Sequence, residues 1–203
     1  MLWEPGVPDD SEAVLLAHAA AGNLEAFGVI YRRYQQIVYR FARAMTGSTD
    51  TAEDVTQEVF IALLTEAGRY DPARAGLSTY LYGIVRNLSR ARLRRDSRRL
   101  SVENFALGSR NASTDDPSIR IEQDELVATM RRALVRLPSR YRELIVLCDL
   151  HGLSYQEAAV VVGSSVGAVR SRLHRGRQLL RLRLTRTSRS ISQSAMAPMR
   201  LAV

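Results

Sequence analysis

The sequence predicts an all-α protein of two small helical domains joined by a flexible linker, with a helix-turn-helix in the second. Three observations predict it. Apolar residues recur at three- and four-residue spacing through most of the chain, and no stretch shows the alternation of a strand. Residues 96–120 lose that rhythm and fill with Ser, Asn, Asp and Gly plus Pro117, a linker composition. Between residues 153 and 184, two helical patterns are separated only by a tight turn at Gly163.

Residues 1–10 are expected to be disordered, and a first domain to span residues 11–95. Residues 11–22 form a short helix with Ser11 as N-cap, apolar Val14, Leu15 and Leu16, and Gly22 at its end. A longer helix covers residues 24–45, with apolar positions at 27, 30, 31, 34, 37, 38, 41 and 45 and a C-cap at Gly47. Thr49 and Asp50 are the candidate caps of a third helix reaching about residue 66. Asp71-Pro72 and Gly76 break the chain, and Ser78 caps a fourth helix to about residue 95.

Beyond the linker, in which residues 102–107 could form a short helix, a second domain is expected over residues 121–184. Its first helix starts near Ile119, ahead of the domain boundary, and runs to Leu137, where Pro138 stops it. Ser139 caps a helix to about Leu150, closed by His151-Gly152. Ser154 opens the next, which ends at Gly163, and Ser165 opens the last, to about Leu184. Residues 185–203 show no periodicity and are expected to form a disordered tail.

At 203 residues the chain suits one large domain or two small ones, and 46% hydrophobic with 25% charged residues is ordinary soluble composition. No apolar run is long enough for a membrane helix. The first residues carry Glu4, Asp9, Asp10 and Glu12 and no Arg, unlike a secretory signal, so a cytoplasmic location is expected. Cys148 is the only cysteine, which excludes an internal disulfide and a Cys-based zinc site, and its apolar neighbours make it a core residue. His18, His151 and His174 are scattered. With no Gly-rich phosphate loop, no metal-ligand cluster and no Ser/His/Asp arrangement, neither an enzyme nor a cofactor or metal site is expected.

The net charge is +8, and all 29 basic residues are Arg, a forked cation suited to phosphates and guanine edges. The charge is unevenly placed. Glu157 is the last acid, and nine Arg follow it. Such a one-sign stretch repels itself unless a polyanion is near.

Residues 153–184 carry the most specific local pattern. Ser154 and Glu157 form a capping box, Ala158 and Ala159 permit close helix approach, and Gly163 supplies a left-handed helix end. In the following helix Val166, Val169, Leu173 and Leu180 share an inward face, which leaves Arg170, Ser171, Arg172, His174 and Arg175 outward. This is the layout of a recognition helix entering a major groove.

In the first domain, Asp54, Gln57, Glu58 and Ile61 share one helix face, and Val55, Val59 and Ala62 another. Arg86, Arg90 and Arg94 form a basic stripe with Tyr80 and Tyr82 nearby. Arg beside exposed aromatics can hold single-stranded DNA. Two core tyrosines under a solvated charged face fit that pattern equally well.

The ordered segments AFGVIYRRY (26–34), EDVTQEVFIAL (53–63), STYLYGIVRNL (78–88), LPSRYRELIVLCDLHGLSYQEAA (137–159) and VGAVRSRLHRGRQLLR (166–181) resemble the extracytoplasmic-function RNA polymerase sigma factors of the sigma-70 superfamily. The resemblance implies an alternative sigma factor that binds core RNA polymerase, recognises promoter −10 and −35 elements and promotes DNA melting, with an anti-sigma factor as a further partner. It implies that Asp54, Gln57 and Glu58 contact the polymerase clamp, and that Ser78, Thr79, Tyr80, Arg86, Asn87 and Arg90 form the −10 surface. It implies that Ser165, Arg170, Ser171, Arg172, His174 and Arg175 read the −35 element. Many relatives carry Phe and Trp where this chain has Leu77 and Tyr80, so its strand-opening surface is less aromatic. Fully extended, the linker reaches about 80 Å at roughly 3.3 Å per residue, more than two turns of DNA. A stand-alone helix-turn-helix regulator would account for residues 153–184 but leaves the patterns at 53–63 and 78–95 unused.

Overall fold

The computed structural model describes residues 12–103 and 123–195, with side chains over residues 12–95 and 127–185. The expected Ser11 cap, the disordered N-terminus, most of the linker and the end of the chain lie outside the described residues. Within them every regular element is helical.

Helix α1 spans Glu12–Ala20 and α2 Leu24–Thr46. Asn23 caps α2, its side chain accepting from the N–H groups of Glu25 and Ala26 at 3.0 Å. Gly47 closes α2 with φ 80° and donates its N–H to the Arg43 carbonyl. Helix α3 covers Thr49–Thr65, and its cap is Ser48 instead of Thr49 or Asp50. Ser48 has extended backbone angles and accepts from the Thr51 N–H at 3.2 Å. Thr49 and Asp50 lie inside the first turn, where the Asp50 carboxylate meets the positive end of the helix.

Helix α4 runs over Leu77–Glu103. Ser78 does not cap it, because the helix already includes Leu77, whose N–H donates to the Glu12 carboxylate of α1 at 3.2 Å. The same carboxylate accepts from the Tyr34 hydroxyl and pairs with Arg33 at 3.6 Å. Burial, and then Glu12, push the Tyr34 phenol well up. The helix continues past its expected end near residue 95 because no Gly or Pro interrupts residues 96–103. Phe41, Val38, Val55, Val59, Leu63, Leu81 and Val85 are fully buried between α2, α3 and α4.

The second unit comprises α5 (Gln123–Val135), α6 (Ser139–Ile145) with a π-helical continuation Val146–Leu150, α7 (Tyr155–Val162) and α8 (Val166–Ala195). Pro138 takes the capping position of α6 and no side chain caps it, so Ser139 is a first-turn residue. The π turn lets the N–H groups of His151 and Leu153 reach the carbonyls of Val146 and Leu147, both at 3.0 Å. Helix α8 extends to Ala195, so residues 185–195 are helical and not the expected unstructured tail.

The two units pack on each other, and their buried residues form one contiguous core. Arg142 of α6 is one of its anchors. Its buried guanidinium donates to the carbonyls of Met45, Val135 and Leu137, which ties the ends of α2 and α5 together. Burial lowers its pKa to about 10.

Candidate nucleic-acid interface

The helix-turn-helix forms as the capping residues dictate. The Ser154 hydroxyl accepts from the Glu157 N–H at 3.2 Å, and the Glu157 carboxylate accepts from the Ser154 N–H at 2.8 Å and from its hydroxyl at 2.7 Å. The bonds from the Ser154 side chain and backbone hold the Glu157 carboxyl below its ordinary range. Ala158 and Ala159 are buried, as their size requires. Gly163, at φ 64° and ψ 49°, ends α7 and turns the chain. Ser165 then accepts from the Ala168 N–H at 3.2 Å and caps α8.

Val169 and Leu173 face the core at 0% and 1% exposure, which rotates the opposite side of α8 outward. Ser165, Arg170, Ser171, His174 and Arg175 are exposed and Arg172 is half-buried. Two contacts fix how α8 sits. Gly176 lies so close to α6 that an added Cβ would stand 3.2 Å from Ile145 Cδ1 and 3.3 Å from Tyr141 Cβ. Arg177 grips the Asp149 carboxylate with Nε at 3.1 Å and Nη2 at 2.6 Å, a bidentate pair that raises the Arg177 pKa further.

On α3, Asp54 and Gln57 are exposed and Glu58 is half-buried, while Val55 and Val59 on the other side are fully buried. Ile61, on the same outer face, is 61% exposed. The acidic face has a counter-ion that the sequence did not reveal. Arg92 of α4 pairs with Glu58 and lies 3.5 Å from Asp54. These carboxylates, chiefly through the bond that Arg92 donates to Glu58, raise the Arg92 pKa.

The expected −10 residues divide by their place on α4. Ser78, Tyr80, Arg86 and Arg90 are half-buried and Asn87 is exposed, whereas Thr79 is 5% exposed and faces the core. Leu77 is wholly buried. Tyr80 packs on Tyr70 with ring centroids 5.5 Å apart. Tyr82 is buried, so it offers no surface for stacking bases. Its hydroxyl sits 2.9 Å from His151 Nδ1 in the second unit. Burial pushes the Tyr82 phenol up to about 12, and burial together with the charge of Arg40 brings His151 down to about 4. The bond therefore joins a neutral phenol to a neutral imidazole.

The basic stripe on α4 is also engaged. Arg86 Nε lies 2.8 Å and Arg90 Nη1 3.6 Å from the carboxylate of Glu143, which is 2% exposed. Arg86 Nη2 further approaches the Val162 carbonyl at 3.4 Å. Arg94, one turn on, is exposed. Sequence reasoning missed Arg142 and Glu143. The available clue was two adjacent opposite charges opening the apolar run Leu144–Cys148, where each must find an internal partner. Cys148 is half-buried against the core, and burial raises its thiol pKa. Among the described residues no cluster of His, Cys, Asp and Glu could hold a metal, and no helix is long and apolar enough to cross a membrane.

Residues 30–99 match the Sigma-70 region 2 family and residues 128–180 the Sigma-70, region 4 family. The chain is 34% identical over 194 residues to the ECF RNA polymerase sigma factor SigE of Mycolicibacterium smegmatis, covering 95% of this chain and 74% of the relative. It is 32% identical over 171 residues to SigW of Bacillus subtilis, covering 80% of this chain and 91% of that protein. Among solved structures, CnrH in complex with the cytosolic domain of CnrY is 30% identical with a TM-score of 0.62, covering 87% of this chain and 98% of that one. RpoE of Bartonella quintana, crystallised with the anti-sigma factor NepR, shares the fold at a TM-score of 0.64 and 22% identity, covering 78% of this chain and 96% of that one.

Proposed function

The chain belongs to the ECF RNA polymerase sigma factors, and from that premise we propose how its surfaces divide the work of promoter selection. Asp54, Gln57 and Glu58 on α3 bind core polymerase. Ser78, Tyr80, Arg86, Asn87 and Arg90 on α4 meet the −10 element and its melted strand, and buried Thr79 supports them from below. Ser165, Arg170, Ser171, Arg172, His174 and Arg175 read the −35 element. The working units correspond to residues 11–95 and 121–184, with helices α4 and α8 continuing beyond them.

The observation that carries this reading is the acid-free outer face of α8, held in register by Gly176 and Arg177 in the same chain as the α3 acidic face. Arg forks placed this way discriminate a guanine by about 1–3 kcal/mol each and position the protein on phosphates. A lone operator-binding regulator would have no use for the α3 face. The chain supplies no chemical step, since polymerase brings the active site, and it acts in the cytoplasm, where transcription occurs.

In the packed arrangement Arg86 and Arg90 hold Glu143, so the two arginines expected at the −10 element are drawn onto the second unit. Engagement of polymerase must therefore separate α4 from α6 and α7, and the linker then sets the reach of each unit. Tethering raises the effective concentration of each half at its own element. An anti-sigma factor that keeps the units together is the expected antagonist, in line with the partnered state of the RpoE structure. Gel filtration with core polymerase, followed by run-off transcription from a genomic promoter library, tests the proposal. Co-elution and specific transcripts support it, and a chain that never joins core enzyme refutes it.

A further inference from the structure

A cavity of about 390 Å³ lies between the two packed units. Five arginines line it, Arg86 and Arg90 from α4, Arg140 from α6, and Arg172 and Arg175 from α8, with Glu143 as the only acid. Glu143 engages Arg86 and Arg90. Arg140 lies over the Tyr141 ring at 4.8 Å, and Arg172 and Arg175 make no ion pair or hydrogen bond within the described residues. One carboxylate thus faces five permanent cations in a space partly screened from water, and like charges so placed repel. The volume falls within the roughly 300–1,000 Å³ of small-ligand pockets, but the lining is cationic, where most such pockets are apolar. A compact anion with several charges can bridge the forks.

We propose that this recess is a binding site for a compact polyphosphate, either inorganic or the phosphate tail of a nucleotide, which neutralises the facing arginines and holds the two units together. The site exists only while α4 and α8 face each other across it. Its ligand consequently opposes the separation that polymerase requires, and by linkage each weakens the binding of the other. The occupancy of the site does not depend on the sigma-factor reading, because it is measured on the purified chain alone.

The test is isothermal titration of the full chain with tripolyphosphate, a nucleoside triphosphate and the matching nucleoside monophosphate, against sulfate at equal ionic strength. One tripolyphosphate per chain is expected, bound at least tenfold more tightly than sulfate or the monophosphate. Equal affinity for tripolyphosphate and the nucleoside triphosphate identifies the phosphate tail as the recognised group, and a tighter nucleoside triphosphate adds a base contact. R140A, which alters no residue assigned to DNA or core binding, should weaken tripolyphosphate about tenfold or more, and R140K should restore part of the loss. Added tripolyphosphate should also reduce association with core polymerase in the natural chain and do so less in R140A. Binding no tighter than sulfate, or unaffected by both R140A and R172A, overturns the proposal.

Discussion

Arg86 of α4 and Glu143 of α6 form an ion pair of 2.8 Å, with side chains 13% and 2% exposed, that joins the two halves of the chain. A carboxylate this deep cannot stand alone. Replacing Glu143 with Ala leaves Arg86 and Arg90 without their shared carboxylate, and replacing Arg86 with Ala leaves that carboxylate only the more distant Arg90 at 3.6 Å. Each change should lower stability in urea by about 3 kcal/mol. The double variant should lose less than the sum, since neither charge is then left behind. Strict additivity would show that the two side chains do not interact in solution.

Reversing Asp54 and Glu58 to Arg should abolish co-elution with core polymerase. The same variant should leave binding of an isolated −35 duplex unchanged, because α8 lies elsewhere. It also places two cations beside Arg92, so circular dichroism must first confirm that α3 and α4 remain folded.

Arg170 is exposed on the outer face of α8 and packs against nothing that would unfold. Arg170→Ala should reduce discrimination among −35 sequences by about 1–3 kcal/mol at a single base position if it reads a base. A uniform loss across sequences, with a shallower salt dependence, would assign it to a phosphate instead.

Ser154→Ala removes the hydroxyl's two bonds with Glu157 and leaves the backbone N–H to Glu157 in place, and it should destabilise the second unit by about 1 kcal/mol. The pH dependence carries its signature. The Glu157 carboxyl is held low in the folded state, so its contribution is present above the ordinary carboxylate pKa and is lost as pH falls through the depressed one. Acid titration of the variant should show a smaller loss, since the backbone N–H of residue 154 still holds the carboxylate.

His151 titrates with the opposite chemistry and the same outcome. Its folded pKa lies near 4 against an ordinary 6.5, so between those values the unfolded chain binds the extra proton. Stability should therefore fall as pH drops from 6.5 toward 4, with Arg40 reinforcing the penalty on a charged imidazole. His151→Gln, which keeps a polar partner for the Tyr82 hydroxyl, should flatten this part of the profile in thermal melts.

The helical class, the helix-turn-helix and its outward arginines were legible because each depends on local patterns. Ser154 and Glu157 announce a helix start, Gly163 a turn, and the spacing of Val169 and Leu173 an inward face. The errors arose where distant chain segments decide. Ser78 lost its capping role because Glu12, from another helix, reaches the Leu77 amide. Tyr82 reads as exposed or buried with equal ease until α6 and His151 are placed over it. Arg92 and Glu143 have partners far away in sequence, and no periodicity within one helix predicts them.

Gly176 fixes the height and tilt of α8 on α6 through backbone proximity, independently of the residues that face outward before it. Promoter preference and scaffold geometry are therefore encoded in separate stretches of the same helix. Grafting the outward residues at 165–175 from another member of the family should transplant its −35 preference while Gly176 and the Arg177–Asp149 clasp keep the docking angle. A bulkier residue at 176 would press on Ile145 and Tyr141 in every graft alike, whatever sequence it was meant to read.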